Sequence, residues 1–245
     1  MLLKIVQVPY LTNPKMQRYE GPVFDMANDN TIKNKLLEIE KFGTDLYGTI
    51  DDANNLIIDI ANHLHLKHTD NIVDLALTID QDIAIINNGK LVSICFCFPS
   101  SWIPRERLGL TFKQIHEPIA DNQKLLAASE GIVNAMVNNG PFHRYVWTIT
   151  NNPAKSNHPK NKLNTVPNTI DDLYFRYETQ TTYPLPLLNT ALFFVKVTVC
   201  PLLEYWNNPD YKKLILNSIN SMTNNILEYK NLKHIKEVLN YNGRS

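Results

Sequence analysis

The run Asp82-Ile-Ala-Ile-Ile-Asn-Asn-Gly-Lys-Leu-Val-Ser-Ile-Cys-Phe-Cys-Phe98 decides the fold. Two apolar, β-branched segments, 82–87 and 91–98, flank Asn87-Asn88-Gly89. Asn-Gly between such segments is the strongest short hairpin signal, because both turn residues must tolerate positive φ. Cys95 and Cys97 lie two apart in the second segment, so on a strand they share a face and point into a core. The frame is therefore an antiparallel sheet.

Working outward, the first thirty residues are rich in Pro, Asn and Asp and read as an irregular segment. Asn30-Thr31 caps a helix through about Phe42, with Ile32, Leu36, Leu37 and Ile39 as its apolar face. A second helix begins near Asp51-Asp52, carries Leu56, Ile57, Ile60 and Leu64 on one side, and ends among His63, His65 and His68. The three imidazoles do not share a helical face, which argues against a metal site, and His near a helix C-terminus suits the dipole.

On the other side of the hairpin, 123–139 reads as a helix closed by Gly140 in the left-handed position. A strand follows over 143–150, then a polar loop rich in Asn, Pro and Lys to about Pro167. Two more strands, 172–182 and 189–199, are joined through Tyr183-Pro-Leu-Pro186. After Pro201 the chain turns helical, with Leu214, Ile215, Ile219, Met222, Ile226 and Leu227 apolar. Helices, then meander strands, then helices make an α+β pattern rather than the alternating βαβ of a nucleotide-binding sheet. Residues 1–245 are read as one domain, with an irregular segment 1–30 and a C-terminal helical region 201–240.

Lys plus Arg and Asp plus Glu each number 24, and the cations are scattered, which argues against nucleic acid or an anionic membrane as the partner. Three cysteines complete neither a four-thiolate cluster nor a disulfide framework, and read as buried thiols of a reducing cytoplasm. The N-terminal apolar stretch is too short for a secretory signal. The best membrane candidate, 190–203, is interrupted by Lys196 and Pro201. The expected location is cytoplasmic. The eight glycines form no dinucleotide or P-loop motif, and no G-x-S-x-G, H-E-x-x-H or paired-carboxylate motif points to a hydrolase.

Several segments then carry a family. Asp82-Ile-Ala-Ile-Ile, Phe98-Pro-Ser-Ser-Trp102, Leu108-Gly109, Ile115-His116-Glu-Pro-Ile119, Arg144-Tyr-Val-Trp147 and Arg176-Tyr-Glu-Thr-Gln180 resemble, in order and spacing, the heme-dependent oxidative N-demethylase alpha-subunit-like family over roughly 20–230. The resemblance implies a PAS-like antiparallel sheet with flanking helices around a b-type heme (heme b). It also implies oxidation of a methyl group on a small secondary amine, releasing formaldehyde, with electrons from a separate flavin/iron–sulfur reductase. Homo-oligomerisation is open. Val146 departs from the family pattern, which usually has Asn there; this leaves a second reading, a PAS-like module that binds heme or a small ligand without the chemistry.

On the residue alone, His116 reads as a hydrogen-bonded structural His at a turn rather than a ligand; the resemblance reverses this and makes it the candidate iron ligand, its backbone stiffened by Pro118. Arg176, Glu178 and Gln180 alternate on one strand and share a face, with Phe175 and Tyr177 on the other. Such a face is either solvated or the wall of a polar pocket. As a wall, Arg176 would bind a heme propionate, and Glu178, with Gln180, would hold an ammonium group or relay a proton. Arg144 and Trp147, three apart, face opposite ways, so one faces the pocket and the other the core. Trp102 either covers a pocket edge or anchors the core.

Overall fold

The computed structural model describes residues 2–12, 16–50, 53–67, 69–161, 163 and 165–242. Seven strands form one antiparallel sheet: β1 (Gln17–Arg18), β2 (Tyr47–Thr49), β3 (Asp82–Asn87), β4 (Lys90–Cys95), β5 (Phe142–Thr150), β6 (Tyr174–Leu185) and β7 (Thr190–Pro201). Their order is β1-β5-β6-β7-β3-β4-β2. With its flanking helices the molecule is α+β, as the hairpin frame required.

That hairpin forms between β3 and β4, with Asn87 opposite Lys90 and positive φ at both Asn88 (49°) and Gly89 (76°). Cys95 and Cys97 are fully buried, their Sγ atoms 4.0 Å apart. The long β6–β7 hairpin runs further than the sequence reading, from Tyr174↔Pro201 to Leu185↔Thr190. Its turn closes at Asn189, which takes the left-handed conformation.

Helices α1 (Leu2–Ile5), α2 (Asp29–Phe42), α3 (Asn54–His63) and α4 (Ile72–Thr78) precede the hairpin. The Asp51-Asp52 start expected for α3, and His68, lie outside the described residues. Of the other histidines, His63 meets the Tyr183 hydroxyl at 3.4 Å, and His65 sits at positive φ in the turn after α3. The apolar face expected for α2 is corrected. Leu36 and Leu37 are exposed, whereas Thr31, Lys35 and Phe42 are buried. Lys35 turns inward because its ammonium finds three carbonyls, donating to Ala76 (2.7 Å), Ile79 (2.9 Å) and Gln81 (2.6 Å). Three charge-assisted hydrogen bonds offset the desolvation of a buried cation.

Between β4 and β5 lie α5 (Phe112–His116), α6 (Gln123–Ala127) and α7 (Ser129–Asn138). The single helix expected over 123–139 is thus divided at Ala128, where the Ser129 hydroxyl bonds back to the Leu125 and Leu126 carbonyls. Gly140 is not left-handed. The helix has already ended at Asn139, and Gly140 sits at a close approach: a Cβ there would lie 3.2 Å from Pro184 Cδ and 3.4 Å from Thr182 Oγ1.

The C-terminal region comprises α8 (Leu203–Trp206), α9 (Pro209–Asn220), α10 (Asn224–Tyr229) and α11 (Lys233–Asn242). Ile215, Ile219, Met222, Ile226 and Leu227 pack with Trp147, Ile149, Phe175 and Tyr177 into one core against β5 and β6. A second core joins α3 and α4 to β3, β4 and β7. A third, around Phe112, Leu125, Met136 and Ala191, seats α5–α7 on the sheet. Among the described residues no helix is long and apolar enough to cross a membrane.

Candidate functional site

Strand alternation builds the site. Register places Gln180 opposite Arg144, Glu178 opposite Val146 and Arg176 opposite Thr148, so these six share a sheet face with Val195, Val197 and Val199 of β7. Asp82 opens β3 opposite Val195 and extends the same face. The neighbouring residues Trp147, Phe175 and Tyr177 point the other way into the core.

The polar side chains on this face are wired together. Arg144 Nε donates to Gln180 Oε1 (2.7 Å), and Gln180 Nε2 donates to Glu178 Oε2 (2.7 Å). The Ser100 hydroxyl donates to Glu178 Oε1 and accepts from Arg176 Nη2 (2.9 Å). A continuous array therefore runs Arg144–Gln180–Glu178–Ser100–Arg176, with alternating charge along it. Glu178 is half-buried and Gln180 buried.

The two arginines differ. Arg176 is 3% exposed and also donates to the carbonyls of Phe98 (3.1 Å) and Lys155. It staples the 98–100 loop and the 155 loop to β6, and its guanidinium is spent on the protein. Arg144 is half-buried at the opposite end of the array. Burial holds both guanidinium pKa values down, and Glu178 opposes that shift.

Beneath the array, Asp82 is fully buried and accepts the backbone N–H groups of Cys97 (3.0 Å) and Phe98 (2.9 Å). Burial raises its carboxyl to about 6. The Lys35 ammonium, 4.0 Å away, and those N–H groups oppose the rise, and Glu178 adds to it. Asp82 thus fixes the start of the loop that delivers Ser100.

His116 ends α5, a five-residue helix held at both ends. Thr111 and Gln114 form a capping box at its start, and the Asn122 amide donates to the His116 and Glu117 carbonyls at its end. The imidazole stacks on Phe112, ring centres 4.0 Å apart. Its Nδ1 lies 2.7 Å from the Phe112 carbonyl, which can only accept, so Nδ1 carries the proton and Nε2 presents a lone pair. Nε2 has no hydrogen bond among the described residues. Burial lowers the ring's pKa to about 4; the Phe112 bond opposes this and the Arg144 charge adds to it. The imidazole is therefore neutral at pH 7 and within the field of Arg144.

This donor set fits a metal-bearing cofactor with acidic substituents. A neutral imidazole with its far nitrogen anchored to a carbonyl is the ligand form, and a nearby guanidinium suits a carboxylate. Among the described residues no three His, Cys, Asp or Glu cluster as a cation cage; a cofactor held through one His would need none.

Trp102 meets Phe96 edge-to-face at 5.5 Å and packs, partly exposed, against the α3–α4 core. Ser100, Asp82 and Lys35 went unrecognised in the sequence. The available signals were a hydroxyl beside Pro99 and an acid opening an apolar strand; nothing in the sequence marked Lys35.

The model of the family described as "Haem-dependent oxidative N-demethylase, alpha subunit-like" matches residues 9–240. The chain belongs to that family.

Proposed function

We propose, from that membership, that the chain is a heme-binding subunit acting in oxidative N-demethylation of a small amine. The observation that carries this reading is the neutral, carbonyl-anchored His116 beside the wired face Arg144–Gln180–Glu178–Ser100. When bound, the heme would supply dioxygen activation and one-electron chemistry.

The chain's residues would do the rest. His116 Nε2 would hold the iron, and the Phe112 carbonyl would keep the ring's orientation. Arg144 would neutralise a propionate. Glu178, its oxygens oriented by Ser100 and Gln180, would bind the ammonium form of the substrate and accept its proton. Arg176 would act as a positioning residue, since it holds the Ser100 loop in place. Trp102 would border the site from the Phe96 side. Electrons would come from a separate flavin/iron–sulfur reductase, which suits the alpha-subunit wording of the family's description.

The test is a hemin titration followed by absorption, beside His116→Ala and Glu178→Gln. The expected result is a sharp Soret band in wild type, lost or shifted in His116→Ala and retained in Glu178→Gln with weakened amine binding. Absence of specific uptake by the wild type would sink the reading. Val146, opposite Glu178 in register, favours a second reading, a heme or small-ligand sensor without turnover. Bound heme with no amine oxidised, even with a competent reductase, would select it.

A further inference from the structure

Helix α2 buries Phe42 and packs Ile39 on the core but leaves Leu36 and Leu37 on its outer face. At about 100° per residue, Asp29, Lys33, Leu36, Leu37 and Glu40 fall in one sector, and the buried Thr31, Lys35 and Phe42 fall opposite. Leu36 is 47% and Leu37 52% exposed. With Asp29, Ile32, Lys33 and Glu40 they form one continuous strip along the helix. Lys33 and Glu40 form no ion pair among the described residues.

The order of these residues identifies the occupant. About a point midway between Leu36 and Leu37, Lys33 and Glu40 are equidistant in sequence, one turn to either side. If a second α2 lies antiparallel across a two-fold axis through that point, Leu36 meets Leu37 of the other copy. Lys33 then meets Glu40 of the other copy, twice. A two-fold interface must be self-complementary in this way, and this strip is so in its charges and apolar pair.

We infer that this face of α2 is the contact of a symmetric homodimer, two copies of the chain joined by an antiparallel helix pair. A 14-residue helix is about 21 Å long, so the pair buries less than the roughly 800 Å² per partner of a standard interface. The dimer is accordingly weak, with dissociation in the micromolar range. Its apolar centre supplies affinity and its two charge pairs fix the antiparallel register.

Sedimentation of the purified protein tests this, over concentrations from about 1 to about 300 µM, a range suited to an interface of sub-standard size. The mass is expected to rise with concentration from the 28.1 kDa monomer towards twice that value. Lys33→Glu alone and Glu40→Lys alone each place like charges opposite one another twice, so each weakens dimerisation at least about tenfold. The double variant restores it, as does an equimolar mixture of the two single variants, in which every pair is again opposite. These side chains are exposed, so far-UV circular dichroism and the thermal midpoint should stay at wild-type values. A chain monomeric throughout, a dimer indifferent to both reversals, or reversals not rescued by mixing would each overturn the inference.

Discussion

The two faces of β5 and β6 are made by alternate residues of the same strands, yet they are held by different physics. On one, Phe175 stacks on Trp147 at 5.6 Å and meets Tyr205 edge-to-face at 5.2 Å, sealed beneath the C-terminal helices. On the other, Arg144, Gln180, Glu178 and Arg176 are placed by directional hydrogen bonds, with Arg144 and Glu178 partly exposed. The apolar face holds the strands in place; the polar face then needs only to orient its own side chains. A similar division separates the two arginines. Arg176 is spent on the fold, and Arg144 stands beside a neutral imidazole.

The largest effect that could break this contrast is expected from Phe175→Ala. It should cost about 3–5 kcal/mol in urea unfolding, with hemin uptake per folded molecule unchanged. A loss under about 1 kcal/mol would place the core elsewhere.

Next comes the arginine pair. Arg176→Met strands the Phe98 and Lys155 carbonyls and should cost about 2–3 kcal/mol. Arg144→Met removes the donor to Gln180 and should weaken hemin binding directly. Hemin binding unchanged in Arg144→Met would erase the distinction.

The last effect is a pH dependence and concerns Asp82. Its native pKa of about 6 lies above the ordinary 3.8, so between these values the folded chain holds a proton that the unfolded chain has released. Stability relative to Asp82→Asn should therefore fall as pH rises from about 4 to about 6, by at most about 1.4 kcal/mol per pH unit, and level off above. A flat difference would mean that the buried carboxylate titrates normally.

Much of this organisation was legible from local pattern. Asn88-Gly89 announced the hairpin, and alternation at 175–180 assigned Arg176, Glu178 and Gln180 to one face before any coordinates. The misreadings share a cause. Leu36 and Leu37 satisfied helical periodicity, but periodicity does not report which face meets the core. Lys35 took the inner face because three carbonyls from α4 and its following turn converge there, a fact of distant chain segments. Gly140 matched a helix-end signal, but its role depends on Pro184 and Thr182, more than forty residues away.

The amino-acid sequence by itself determined the strand periods, the turn at Asn88-Gly89, the α+β class and the family. All of these are written in short-range spacing and residue type. Only the tertiary structure decided that Ser100 bridges Glu178 and Arg176, that Arg176 staples two loops to β6, and that His116 is neutral with Nε2 presented. Hydrogen-bond partners and burial are properties of segments brought together by the fold, and no local pattern encodes them.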